Sequence, residues 1–381
     1  MIQLFKPFMD KEEVQAVGEI LLSGWIGLGP KTAEFEKRLA EYIGVANMVA
    51  LNSATAALDL SLRLLNIGEG DQVIVPTMTF VSTAHAVMYN RATPIFADID
   101  ERTLNIDIDD VARKITPHTK AIIPVHYGGR PVDIDKLRAV AGRIPIIEDA
   151  AHACGSEYKG HKCGSLGDLA CFSFHAVKNL ATGDGGAIAL NDKAMSNHAK
   201  RLRWLGIDKG TWDRTDNNRA YLWDYAVDEI GYKAHMNDIN AAIGLVQLRK
   251  LDQMNQRRRE IARRYTEGLS DLQWVQIPTQ DNPDSKSSWH IYCVQVDHRD
   301  DLNAFLGQQG IGTGVHYRPI HTYKCYGSQP PLPKAERAFN KILSLPMHPG
   351  LTDDEVDYII DQFHDFSVMA SMEAKLFPVA A

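Results

Sequence analysis

Lys178 ends the segment Ser173-Phe174-His175-Ala176-Val177-Lys178, just beyond the uncharged run Leu169-Ala170-Cys171-Phe172. Such a run reads as a buried strand, so the amine emerges at a strand end, partly out of water. Desolvation disfavours the ammonium form and lowers its pKa, and a neutral amine attacks carbonyl carbons. Asp149 ends a second apolar run and precedes Ala150-Ala151, residues small enough to admit a flat ring. A carboxylate there can pair with a protonated ring nitrogen, cap a helix or lie in a loop. Glu148 alternates to the other side of that strand and reads as structural. Asn52-Ser53-Ala54-Thr55-Ala56-Ala57 follows another apolar run and opens a helical pattern. Small residues at a helix start let backbone N–H groups reach a phosphate, whose charge the helix dipole favours. The hydroxyls of Ser53 and Thr55 could add donors, though the same residues make an ordinary helix cap. Ser173 is a further phosphate candidate. Phe80, after Pro76-Thr77-Met78-Thr79, could stack on a ring or belong to the core. His152 could stack or hydrogen-bond on the opposite face. His175 could be a packed histidine, and Cys154 a thiol near the same place.

An amine for an aldehyde, a carboxylate for a ring nitrogen, a phosphate cup and a flat group are what a protein needs to use pyridoxal phosphate (PLP). The elements that must position them are legible as strands separated by helices. Asn47–Leu51, Gln72–Pro76, Thr93–Asp98, Ala121–Val125 and Ile144–Glu148 read as buried strands. Helices fall at Thr55–Leu65 and Thr79–Tyr89. Apolar strands without alternation, interleaved with helices, imply an α/β fold with a mostly parallel sheet covered on both faces. Ligands gather at the carboxyl ends of such strands, where the residues above fall. From Asn237 the pattern turns helical and charged. The expected division is a large α/β domain over residues 1–250 and a smaller α+β domain over residues 251–381. The second carries strands at Trp289–Val296 and Gly312–His316, and helices at Asp300–Gly307 and Asp353–Phe363 with Thr352 as N-cap. The tail after Ser367 gives no strong signal.

The chain has 381 residues and a net charge of −7, which argues against general binding to nucleic acid or a membrane surface. No signal peptide or membrane span is visible. The five cysteines show no CxxC spacing, so no metal site is expected and a cytoplasmic, reduced protein is.

The motif blocks resemble, in order, those of the DegT/DnrJ/EryC1/StrS sugar aminotransferases. They are Ser23–Pro30, Asn52–Ala57, Pro76–Phe80, Glu148–His152, the Lys178 block with Gly183-Asp184-Gly185-Gly186, Gly231–Ile239, Tyr317–His321 and Leu343–Pro349. The resemblance runs from about residue 8 to residue 362. It implies PLP-transferase fold type I, with a seven-stranded type of sheet, and a homodimer with active sites at the subunit interface. By motif match Lys178 is the Schiff-base lysine and Asp149 the partner of the ring nitrogen. Phe80 takes the stacking position, Ser53, Ala54, Thr55 and Ser173 the phosphate contacts, and His152 a cofactor contact. Lys233, from the partner subunit, reaches the phosphate. Lys233 and His235 depart from the family's commoner Asn and Arg.

The implied reaction carries an amino group from an amino acid, L-glutamate by family habit, to a ketosugar. The cofactor cycles with pyridoxamine phosphate, and the implied acceptor is a nucleotide-linked 4-keto-6-deoxyhexose for polysaccharide, glycan or antibiotic-sugar biosynthesis. Trp25, His235, Tyr317, His321 and the segment Lys209–Tyr225 (with Trp212, Arg214, Tyr221 and Trp223) are candidate substrate contacts. Competing readings are a PLP-dependent sugar dehydratase, against which Lys178 argues because such relatives carry His there, and a PLP-binding regulator or scaffold without turnover. A dehydrogenase lacks the GxGxxG it would need.

Overall fold

The computed structural model describes residues 1–208 and 225–376. Two helices open the chain, α1 (Lys11–Ser23) and α2 (Pro30–Ile43). Asp10 and Glu13 form a reciprocal capping box on α1, and Gly24 ends it in the left-handed conformation. There follow β1 (Asn47–Leu51), α3 (Ala54–Leu64), β2 (Gln72–Pro76), α4 (Ser82–Tyr89), β3 (Thr93–Ala97), α5 (Ile108–Lys114), β4 (Thr119–Ile122), α6 (Ile134–Ala141) and β5 (Ile147–Asp149). The short β6 (Glu157–Tyr158) and β7 (His161–Lys162) precede β8 (Leu169–Ser173), β9 (Gly186–Leu190) and α7 (Lys193–Leu202).

Strands β3-β2-β4 form one parallel set, and β1-β9-β8-β5 a second set. Parallel bridges Ile122–Ile146 and Val125–Asp149 join β4 to β5. The result is one seven-stranded sheet in the order β3-β2-β4-β5-β8-β9-β1, the expected mostly parallel α/β architecture. Only β9 runs against its neighbours. Period-two alternation sends Val49, Leu51, Val73 and Val75 to one apolar layer, and Met48, Ala50 and Ile74 to layers on the other face. The parallel strands β1, β2, β5 and β8 all end on one edge. There Ser173 and Leu51 both pair with Gly186, the first residue of β9.

The 32-residue helix α8 (Asp238–Leu269) crosses residue 250 unbroken. Its first half packs on α1 and α2, and Gly244 has no room for a Cβ beside the Phe35 ring, 2.8 Å away. Its second half, from Ile261 to Leu269, joins another core. That core is completed by β10 (Val275–Gln276), β12 (Tyr292–Val296), α9 (Arg299–Gln308), β13 (Ile342–Leu345) and α11 (Asp353–Leu376), while α10 (Pro333–Phe339) packs Ala335 and Ala338 against Met78, Tyr127 and Ile291, and β11 (Ser285–Lys286) pairs with β6. Strands β10, β12 and β13 form an antiparallel sheet.

Several boundaries differ from the sequence reading. Helix α4 starts at Ser82, because Phe80 and Val81 form a turn whose carbonyls accept from Thr83 and Ala84. Trp289 has a positive φ of 47°, so β12 begins only at Tyr292. Gly312–His316 is not a strand: it makes a single bridge, Gly314 to Ser344, while the Gly312 N–H goes to Ile2. Helix α11 runs past Phe363 to Leu376, capped as expected by Thr352, whose hydroxyl accepts from Glu355 N at 3.1 Å. Among the described residues no helix is long and apolar enough to cross a membrane.

Candidate active site

Asp149, the last residue of β5, is 4% exposed. Its Oδ2 accepts from the Thr83 hydroxyl at 2.9 Å and its Oδ1 from Ala151 N at 3.2 Å. Burial pushes its carboxyl pKa up, against the pull of these two bonds and of the nearby Lys178 charge. Lys178, half-buried in the loop after β8, is pushed the other way. Desolvation lowers its pKa to about 8, and the Asp149 charge only partly restores it. An amine at that value is about 10% neutral at pH 7, against well under ~0.1% for an ordinary lysine.

Ser53 caps α3, its Oγ accepting from Ala56 N at 3.1 Å, so its cap role is real. The next two N–H groups, of Ala54 and Thr55, have no partner among the described residues and remain free donors. A Cβ on Gly186 would lie 2.3 Å from the Ser53 carbonyl carbon, so only glycine lets this loop rest against β9. The Thr55 hydroxyl bonds Ser82 Oγ at 2.7 Å. Ser173 is buried, its Oγ accepting from His175 N. His175 itself is exposed, not packed.

Phe80 is 58% exposed, which rules out a core role and leaves a large ring facing open space 6.2 Å from the ring of Tyr317. His152 is buried and accepts from Gly128 N through Nδ1, so its proton sits on Nε2, which meets the Tyr317 hydroxyl at 3.1 Å. Burial holds His152 neutral, with a pKa well below the usual value. Phe80, His316, Tyr317, Arg318 and Tyr323 line a pocket of about 420 Å³.

The remaining candidates are placed as follows. Trp25 lies over Gly29 and donates its ring N–H to Leu28 O at 3.1 Å. Lys233 is exposed, its ammonium 3.4 Å from the centroid of the Trp204 ring. Asn52 N bonds Ala234 O and Leu51 bridges His235, so this segment flanks the end of β1. His235 packs edge-on to Trp204, with a pKa lowered by burial to about 4. His321 is buried, with Nδ1 on Thr77 Oγ1 and Nε2 on Glu336, so both ring nitrogens are engaged. Trp212, Arg214, Tyr221 and Trp223 lie outside the described residues. Cys154 is buried and its thiol pKa pushed up to about 12, which makes it a poor nucleophile; all five cysteines are free.

Glu148 has a structural setting. It accepts from Gly164, Leu166 and Gly167 N–H groups and from His126 Nε2. With Cys163 these make a buried His-Glu-Cys cluster of metal-ligand type. The carboxylate would favour a charged imidazole, but a second ring proton would collide with the Val132 N–H that donates to Nδ1 at 3.0 Å. His126 is therefore neutral, its one ring proton on Nε2 donated to Glu148 and its Nδ1 lone pair taken by Val132 N–H, so neither ring nitrogen is open to an ion.

The sequence reading passed over Thr83 and named Asn179 and Gly186 only within motif blocks, without a role. Thr83 was legible as a hydroxyl one helical turn beyond Phe80, and Gly186 as a glycine opening a strand. The residues present fit PLP. A protonated ring nitrogen would relieve the under-compensated Asp149, free α3 donors await an anion, Phe80 offers an uncovered face, and a desolvated amine stands at the same sheet edge.

The model of the DegT/DnrJ/EryC1/StrS aminotransferase family matches residues 7–364. The chain is 42% identical over 373 residues to the spore coat polysaccharide biosynthesis protein SpsC of Bacillus subtilis, covering 94% of this chain and 95% of that one. It is 41% identical over 369 residues to dTDP-4-dehydro-2,3,6-trideoxy-D-glucose 4-aminotransferase of Saccharopolyspora spinosa, covering 95% and 96%. Structures of Spr1654 of Streptococcus pneumoniae, named as a sugar aminotransferase, superpose with TM-scores of 0.90 in the PMP-form and 0.88 in the PLP-form. Both are 36% identical and cover 95% of this chain, and 98% and 97% of theirs.

Proposed function

Because this chain belongs to the DegT/DnrJ/EryC1/StrS aminotransferase family, we propose that it transfers an amino group from L-glutamate to C4 of a nucleotide-linked 4-keto-6-deoxyhexose. The reading includes a cytoplasmic homodimer with shared sites and a cofactor that alternates between PLP and pyridoxamine phosphate. The observation that carries it is the coupled pair of Lys178 and Asp149 at the carboxyl edge of the sheet, each pushed towards its neutral form by burial. The carbon and the nucleotide are taken from the 4-aminotransferase relative. The exposed apolar side chains of Leu22 and Ile230 support a subunit interface.

When bound, PLP supplies an aldehyde for the amino group and a ring that takes up the electron pair left when the α-proton departs. Lys178 Nζ would hold that aldehyde carbon. Nζ, its pKa lowered to about 8, would be the base that takes the proton from the donor's α-carbon and the acid that gives it back on the far side of the nitrogen. Asp149 keeps the ring nitrogen protonated, with Thr83 and Ala151 fixing its two oxygens. The N–H groups of Ala54 and Thr55, with Ser53 and Ser173, hold the phosphate, and the partner subunit's Lys233 adds charge. Phe80 and His152 flank the ring. With the ketosugar, whose carbonyl oxygen would leave as water, Nζ would return a proton to the carbon that receives the amino group. Tyr317, on the rim of the 420 Å³ pocket, and Trp25, His235 and His321 are the proposed substrate-side residues.

The test is transfer of label. PLP-loaded protein with ¹⁵N-glutamate and dTDP-4-keto-6-deoxyglucose should give a ¹⁵N-aminosugar nucleotide, and Lys178→Ala should give none. Equal product from Lys178→Ala would overturn the assignment.

A further inference from the structure

Asn179 follows Lys178 directly and is 4% exposed. Its Nδ2 donates to Asn255 Oδ1 on α8 at 2.8 Å and to Ser288 O at 2.9 Å. Its Oδ1 meets His290 Nδ1 at 3.1 Å, and since the amide nitrogen is spent on two acceptors, the imidazole must donate. The orientation of Asn255 is fixed independently, because its Nδ2 donates to Cys154 O at 3.0 Å. Gly155 makes room for that amide, since a Cβ there would lie 2.4 Å from Asn255 Nδ2. Ser288 reaches back to the large sheet, its Oγ donating to His152 O at 3.0 Å. The His290 ring stacks on Phe5 at 5.4 Å and lies 4.4 Å from the ring of His152. Three segments therefore meet on one side-chain amide: the Lys178 loop, α8 and the approach to β12.

We propose that Asn179 is a positioning residue that fixes where the Lys178 amine stands by locking its loop to α8 and to the segment before β12. The inference rests on Lys178 being the cofactor-bearing amine. The stretch ahead of Lys178 cannot do this work: His175 is exposed, and Ala176 and Val177 are only half-buried. The backbone bond from Lys178 N to His175 O ties the loop to itself alone. Beyond Asn179, Leu180 and Ala181 are buried and hold the chain by apolar contact, which fixes depth but tolerates sliding, and directional bonds resume only at Thr182, four residues from Lys178, with Phe174 O and Asn240 Nδ2. The three hydrogen bonds of Asn179 are directional and remove that freedom. A displacement of about 1 Å at a reacting group can cost on the order of a hundredfold in rate. The same slippage would admit water to Nζ and return its pKa towards the ordinary lysine value.

The experiment compares wild-type protein, Asn179→Ala and His290→Gln, each free of PLP and then loaded. In the PLP-free protein, the pH dependence of Lys178 acylation, read by peptide mass, should have its midpoint near about 8 in the wild type. It should move up by about one unit or more in Asn179→Ala, as water reaches the amine. Amide hydrogen exchange over residues 175–182 should quicken about tenfold while the core keeps its protection. In loaded protein kcat should fall about 10–100-fold with the donor KM within about threefold. His290→Gln removes one bond and should shift the midpoint the same way by less, which decides the matter if Asn179→Ala does not fold. A folded variant with a wild-type midpoint and kcat would overturn the proposal. So would lower stability throughout with the Lys178 midpoint unmoved, since that is plain structural support. If borohydride reduction fixes the cofactor on a residue other than Lys178, the functional reading fails, and the positioning role with it.

Discussion

Asp149 and Lys178 each carry a charge that burial disfavours, and each is a source of relief for the other. The carboxyl is raised and the amine lowered by desolvation, and the electrostatic effect of one on the other runs against both shifts. Such a pair is costly to fold and useful to chemistry, because neither group is locked into its charged form.

The cost should be measurable in the PLP-free protein. Lys178 has a folded pKa of about 8, below the ordinary 10.5, so the folded state binds its proton less tightly than the unfolded chain. The penalty is complete below about pH 8, fades as pH rises from there, and is gone above about 10.5. Lys178→Met should therefore be more stable than wild type by about 1–3 kcal/mol at pH 7, with the difference shrinking towards pH 10.5. Denaturant titrations at both pH values decide it, and a less stable Lys178→Met at pH 7 would contradict the assignment.

Removing the carboxylate should uncouple cofactor binding from catalysis. Asp149→Asn keeps the shape but cannot stabilise a protonated ring nitrogen. Its kcat should drop by about a hundredfold or more, with PLP still retained. Thermal shifts on PLP loading should also be smaller than in wild type, because the relief of a buried charge is gone.

Thr83→Val tests the support of that carboxylate. It deletes the 2.9 Å hydrogen bond to Asp149 Oδ2 at nearly constant volume. Loss of a bond to a charged group should cost about 1.5–3 kcal/mol of carboxylate stabilisation. Steady-state kinetics should register this as a lower kcat with little change in the sugar KM.

Gly186→Ala tests the phosphate cup. The new Cβ would sit within 2.3–2.5 Å of the Ser53 and Ala54 backbone, so the loop must move. PLP affinity should weaken about tenfold or more, since the Ala54 and Thr55 donors would shift with the loop. Unchanged affinity by equilibrium dialysis would place the phosphate elsewhere.

How far the chain could be read depended on what periodicity encodes. The runs ending at Leu51, Pro76, Asp149 and Phe172 were visible because strands buried on both faces are continuously apolar, and their ends fixed the site edge. The reversed direction of β9 was not visible, because Gly186–Leu190 is equally apolar read either way. Gly312–His316 looked like a strand by composition, yet the N-terminal segment at Ile2 takes its hydrogen bond, a long-range contact no local pattern announces. Lys178, Asp149 and Phe80 could be picked out by position after strands. The Asn179 amide could not, because its partners Asn255, Ser288 and His290 lie 76, 109 and 111 residues away.

On the proposed function, Lys178 and Asp149 run amino transfer from an amino acid to a ketosugar. The visible absorption spectrum of PLP-loaded protein tests it most directly, first with excess L-glutamate and then with a 4-ketosugar nucleotide. The band of the lysine-bound cofactor should bleach with glutamate and return with the ketosugar, and Lys178→Ala should lack it from the start. A band that ignores glutamate and every other amino acid, or one that persists without Lys178, would contradict the account.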